Sequence, residues 1–256
     1  MSNIHSVTTT RFELKQLFQL MIPILVTQFA QAGLGLIDTI MAGHMSATDL
    51  AAIAVGVGLW MPIMLLFSGI MIATTPLVAE AKGARTPEKI ATIARQSLWI
   101  AFILGVIAGL ILQLMPALLP LFGVPENLQP KAGLFLHAIG FGMPAVTMYA
   151  ALRGYSEALG YPRPVTVISL LALVLLVPLN FMFMYGWGPL PELGSAGCGF
   201  ATAILTIDQI NPFTRAQLRQ LNIAKRINIK TDKAHALLIK PHRRLWPRLR
   251  TVIIPQ

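Results

Sequence analysis

Residues 17–46, LFQLMIPILVTQFAQAGLGLIDTIMAGHMS, contain a single formal charge, Asp38. A helix that crosses the hydrocarbon of a bilayer needs about 20 mostly apolar residues, and this run is longer than that. A carboxylate near its end has few obvious partners and little water, so its meaning depends on the medium. Composition settles the medium. Of 256 residues, 55% are hydrophobic and 12% charged, with a mean hydropathy of +0.68, whereas a globular domain carries about 25% charged residues. The chain is built for a bilayer. The run also continues far past the length of a signal-peptide core and has no small-residue cleavage site, so it reads as a retained first span.

Outward from this run the chain offers four more stretches of spanning length, at approximately 50–79, 92–122, 132–153 and 164–187, with a sixth begun at Gly194. The connections GHMSATD, EAKGARTPEK, GVPENLQPK, RGYSEALGYPRP and GWGPLPELGSAG are rich in Gly and Pro, as turns are, and none can hold a soluble domain. Cytoplasmic connections retain Lys and Arg. Arg11 and Lys15 precede span one, Lys82, Arg85, Lys89 and Arg95 flank the second connection, and Arg153 and Arg163 flank the fourth. Lys131 alone falls on the other side. The expected topology is therefore multi-pass with a cytoplasmic N-terminus.

The spans are interrupted by Pro23, Pro62, Pro116 and Pro144 and by many glycines. Membrane helices tolerate such residues where neighbouring protein or cavity water satisfies the freed backbone groups, so the bundle is expected to pack against itself. GVIAG at Gly105–Gly109 has the spacing of a small-residue helix contact. Cys198 is the single cysteine, which excludes an internal disulfide framework and a multi-cysteine metal site. No P-loop, H-E-x-x-H or G-x-S-x-G motif is present, so enzymatic chemistry and a resident cofactor are not expected.

Three segments resemble the multidrug and toxic compound extrusion (MATE) transporters, in their NorM-like bacterial branch. They are LIDTIMAGHMSATDLAAIAVG (36–56), LRGYSEALGYPRPVTVISLLALVLLVPLNFMFMYG (152–186) and LGSAGCGFATAI (193–204). The resemblance implies an all-α polytopic membrane bundle of the bacterial inner membrane, here the N-terminal lobe of a two-lobe fold, with five full transmembrane helices and an incomplete sixth. It also implies export of organic cations and drugs in exchange for Na⁺ or H⁺, working with a second lobe or a second copy.

Within that frame Asp38 is the expected coupling carboxylate, because low dielectric penalises its charge and lets it exchange a proton or neutralise a transient Na⁺. The resemblance adds Asn180 and Thr202 to the same polar pocket. Some members carry a second acid one turn beyond the asparagine; here Met184 stands there, a candidate cavity-lining residue beside Gln28 and Gln31. Pro23 removes a helix hydrogen bond, so it serves either as a hinge or as a static kink. His137 reads as a packed or interfacial histidine rather than a relay.

The family pattern stops near Ile207, giving an expected lobe over 1–207 and a basic tail over 208–256 without a fold of its own. That tail holds eleven Lys/Arg against Asp208 and Asp232. Its charge suits anionic lipid, but with Phe213 and Trp246 as its only aromatics it offers no nucleic-acid reader. Three readings remain open from sequence: an ion-coupled efflux lobe that is incomplete and inactive alone, a membrane-anchored interaction protein working through the tail, and a truncated product without activity.

Overall fold

Ser46 fixes where the first helix stops and the second starts. Its backbone is extended, at φ −162° and ψ 157°, and its hydroxyl oxygen accepts from the Asp49 N–H at 3.0 Å. A serine followed three residues later by an acid, just before an apolar run, is a capping arrangement. It separates α1 (Asn3–Met45) from α2 (Ala47–Ile72). The structure, a computed structural model, describes residues 3–186 and 192–210, and among the described residues all regular structure is helical.

The second apolar stretch, expected as one span, is two helices. α2 ends at Ala73, whose N–H bonds the Ile70 carbonyl at 3.3 Å, and α3 (Thr74–Gly83) follows directly. α4 (Pro87–Leu114) opens with a proline at its first position, where no hydrogen bond is lost, and runs into a 3₁₀ turn at Met115–Leu118. α5 (Gln129–Ala158) and α6 (Arg163–Met184) follow, and a last helix, α7, occupies residues 195–210. Five stretches are long and apolar enough to span a bilayer: Leu17–Met45, Ala47–Gly83, Glu88–Leu118, Gln129–Ala158 and Arg163–Met184. The chain is a multi-pass membrane protein. Its family-pattern boundary at Ile207 is not a structural break, since α7 continues through Ile210. The rest of the basic tail lies outside the described residues.

Helix α5 is the axis of this arrangement: 61% of its apolar window is buried, against 11% for α1. Its approach to α4 is set by glycine. A Cβ at Gly105 would fall 2.4 Å from the Pro144 Cα, and one at Gly109 would fall 2.6 Å from the Gly140 carbonyl oxygen. The GVIAG segment is thus the α4–α5 contact, with backbone against backbone, as dispersion-driven packing in lipid favours. The largest buried cluster gathers Ala42, Ile53, Leu112, Phe135, Met143, Met184 and Cys198 from α1, α2, α4, α5, α6 and α7. Outward-facing residues such as Phe29, Leu36, Leu65, Trp99 and Val174 are apolar and exposed, the reverse of a water-soluble surface.

The ends of the bundle sort as the crossing pattern requires. Connections one, three and five meet where Asp49 binds Lys131 and the Ser195 N–H. Connections two and four meet at the opposite end, where Lys82 Nζ donates to the Leu159 carbonyl at 2.8 Å.

Candidate functional site

Asp38 lies seven residues beyond Gln31 on α1, two turns along the same helix. The fold brings it to residues far away in sequence. Asn180 Nδ2 donates to Asp38 Oδ1 at 2.6 Å, and Thr202 Oγ1 stands 3.4 Å from Oδ2. The first is a short contact; the second is too long to be a strong one. The thiol of buried Cys198 is a further neighbour of the carboxylate. Asn180 is fully buried, and its Oδ1 has no hydrogen-bond partner among the described residues. A buried acceptor without a donor costs roughly 1–3 kcal/mol, so this carbonyl oxygen is poised to take a cation or a proton donor.

Three helices build the cluster, and the sequence explains each approach. On α6, Pro178 sits two residues before Asn180 within the helix, and Ala172, Leu176, Ala201 and Leu205 pack α6 on α7 beneath the polar group. Small residues on α7, from Gly194 to Ala203, let it come close enough for Cys198 and Thr202 to reach the carboxylate.

The remaining expected residues fall elsewhere. Gln28 is exposed and accepts from Arg153 Nη2 at 2.6 Å. Gln31 Nε2 donates to the Tyr149 hydroxyl at 3.3 Å, and that hydroxyl lies 2.9 Å from Ser169 Oγ. Both glutamines tie α1 to other helices, at a distance from Asp38. Met184 is fully buried in the main core cluster. The carbonyl of Pro23 accepts from Thr27 and from Thr166 of α6, each at 2.9 Å, so the backbone around this proline is held by side chains. His137 pairs through Nδ1 with Gln113, whose amide donates back to the His137 carbonyl at 3.1 Å, a packed histidine between α4 and α5.

A second carboxylate cluster was not anticipated. Asp49 is 4% exposed; its Oδ2 accepts from Lys131 Nζ at 2.8 Å and from Ser46 Oγ at 2.5 Å, and its Oδ1 accepts from the Ser195 N–H at 3.2 Å. A signal for it was present, since Lys131 and Asp49 both flank the odd-numbered connections, where among the described residues no other Lys or Arg stands.

Fold and site together define a polytopic helical membrane protein that holds an ionisable group among polar partners in its interior, a costly placement that marks transport and ion pathways. The sequence profile of the MatE family matches residues 23–182, and the chain belongs to that family. It is 87% identical over 195 residues to a probable multidrug resistance protein NorM of Acinetobacter baylyi, covering 76% of this chain and 43% of that one. It is 39% identical over 192 residues to a multidrug resistance protein MdtK of Photorhabdus laumondii, covering 75% and 42%. The solved structure of a eukaryotic MATE transporter, AtDTX14, shares the fold at a TM-score of 0.73 and 19% identity, over 79% of this chain and 44% of that one. The chain thus spans less than half the length of the relatives it matches.

Proposed function

We propose that this chain is the N-terminal lobe of an ion-coupled exporter of organic cations and drugs, and that Asp38 is its coupling group. The observation that carries this reading is the Asp38–Asn180 pair with its unpartnered amide oxygen. An amide can present either end to a carboxyl group. When Asp38 is ionised, the Asn180 N–H₂ donates to it, and the two carboxylate oxygens with the amide and Thr202 oxygens form a hard-oxygen set suited to Na⁺. When Asp38 is protonated, its O–H can donate to the amide oxygen after a flip, and the cation loses its counter-charge. One pocket thus has two hydrogen-bonding states, and which of H⁺ and Na⁺ drives the cycle follows from their competition for it. Pro23, whose carbonyl is held by Thr27 and Thr166, is the fixed end of the α1 segment that would flex as the pocket changes state.

Alternating access in transporters generally needs two repeats moving about a shared midplane site. The described helices supply one. Purified chain in liposomes is therefore expected to drive no efflux of a fluorescent organic cation under a Na⁺ or pH gradient, whereas the same lobe joined to a MATE second lobe restores it. Robust efflux by the chain alone would overturn the requirement for a second lobe, and no efflux from the joined protein would count against the transport reading itself.

Placement in the bacterial inner membrane with a cytoplasmic N-terminus is part of the same proposal, resting on the basic residues of the even-numbered connections. In a Cys198→Ala background, Glu192→Cys, an exposed position at the odd end, is expected to react with an impermeant maleimide on intact cells. Lys89→Cys, exposed at the even end, is expected to react only after permeabilisation. The reverse pattern would invert the topology.

A further inference from the structure

Helix α7 has no side-chain cap of its own: the Leu193 and Gly194 carbonyls take the Ala196 and Gly197 N–H groups at 3.2 and 3.0 Å, which leaves the Ser195 N–H to be served. The residue before it is Gly194, at φ +56°, which has no side chain to accept from the first N–H groups. Those groups are orphan donors at every helix start, and Ser, Thr, Asp or Asn at the cap normally serves them. Here the acceptor comes from another helix: Asp49 of α2 takes the Ser195 N–H at 3.2 Å. The hydroxyl of Ser195 is buried and has no partner among the described residues, so it does not share this task. A Cβ at position 194 would fall 2.9 Å from Asp49 Oδ1, which explains the glycine there: it clears the path of the carboxylate. On its other oxygen Asp49 is neutralised by Lys131 of α5 and braced by Ser46. A negative charge at a helix start is also favoured by the helix dipole.

We infer that Asp49 is a positioning residue for the Asp38 pocket: it caps α7 from α2 and thereby sets where Cys198 and Thr202 stand against Asp38. Cys198 lies one turn into α7 and Thr202 one turn further, so fraying or displacement at residue 195 is transmitted to both. The functional importance of this cap rests on the reading of Asp38 as the coupling group, but the cap itself does not.

The chain carries its own reporter, because Cys198 is its single cysteine and is 1% exposed. The rate at which N-ethylmaleimide modifies Cys198 in membranes containing the full chain measures how often the start of α7 opens. Asp49→Ala is expected to raise that rate about fivefold to tenfold, the factor that loss of a helix cap implies. Asp49→Asn keeps a side-chain oxygen for the Ser195 N–H and is expected to restore the rate to within about twofold of the parent. Lys131→Gln lowers the melting temperature but leaves the rate near the parent's, because it removes the ion pair and spares the cap. If Asp49→Ala does not accumulate, Gly194→Ala, which pushes the carboxylate away, is expected to speed labelling in the same direction. Parent-like rates in Asp49→Ala or, failing that, in Gly194→Ala would overturn the inference, as would Lys131→Gln accelerating labelling as much as Asp49→Ala. Because labelling needs no transport, a lobe that loosens as expected but exports nothing even when joined to a second lobe counts against the proposed function and leaves this inference standing.

Discussion

Asparagine at position 38 is expected to bring ion-driven efflux by the two-lobe protein down to the level of protein-free liposomes, with insertion and yield unchanged. The change is nearly isosteric, and the Asn180 amide can still donate to the new amide oxygen, so the α1–α6 contact survives. What disappears is the only carboxylate of the pocket among the described residues, since the side chains around it, Asn180, Thr202 and Cys198, carry no acid group. The measurement is initial efflux rate against pH at fixed Na⁺ and against Na⁺ at fixed pH. Rates in the Asp38→Asn protein that match the parent across both series would remove Asp38 from the coupling step. Loss of the protein from the membrane would instead mean that the pair holds the fold together.

The largest effect on stability is expected at the α4–α5 contact. Gly109→Val places a branched side chain where a Cβ alone would lie 2.6 Å from the Gly140 carbonyl oxygen, and Gly105→Val meets the Pro144 backbone. Backbone cannot move aside as a flexible side chain can, so the cost falls at or above the upper end of overpacking, about 3 kcal/mol. A loss of monodisperse protein in detergent, or a melting temperature lowered by several degrees where protein survives, is the expected result. Gly69→Ala is the control, because nothing lies within 4 Å of its added carbon, and relief of glycine's helix penalty, roughly 0.5–1 kcal/mol, predicts equal or higher stability. Equal tolerance of all three substitutions would show that α4 and α5 are not in close contact.

The helices were legible in the sequence because hydrocarbon imposes length and apolarity on every span, and the turns between them are marked by Gly and Pro. The proximity of Asp38, Asn180 and Thr202 was reached through family resemblance, since hydropathy says that a residue is in a span but not which neighbour it meets. The same limit hid Asp49: in GHMSATD it reads as an ordinary connection acid, and only the fold places it on Lys131 and Ser195, 82 and 146 residues away. Gln28, Gln31 and Met184 are polar or flexible enough to line a cavity, yet each finds protein partners or core packing. The division of the second span at Ala73 did have a mark in the sequence, Pro76, which has no N–H for the Ile72 carbonyl four residues back, but hydropathy alone runs straight through it. There a Cβ at Gly154 of α5 would come within 2.8 Å of Thr75 Oγ1, a closeness that only the assembled bundle reveals.

The two polar contacts between α1 and α6 have a mechanical consequence. Thr166 holds the Pro23 carbonyl, and Asn180 holds Asp38. The contacts are separated by 15 residues on α1 and 14 on α6, or about 22 and 21 Å at 1.5 Å per residue. The two helices run in the same direction and are pinned in register at two heights, like two rods cross-pinned twice. Sliding one along the other would break both pins at once. A change in charge at the upper pin can therefore be absorbed by bowing of the α1 segment between them, and the stroke of that bow is limited by the lower pin.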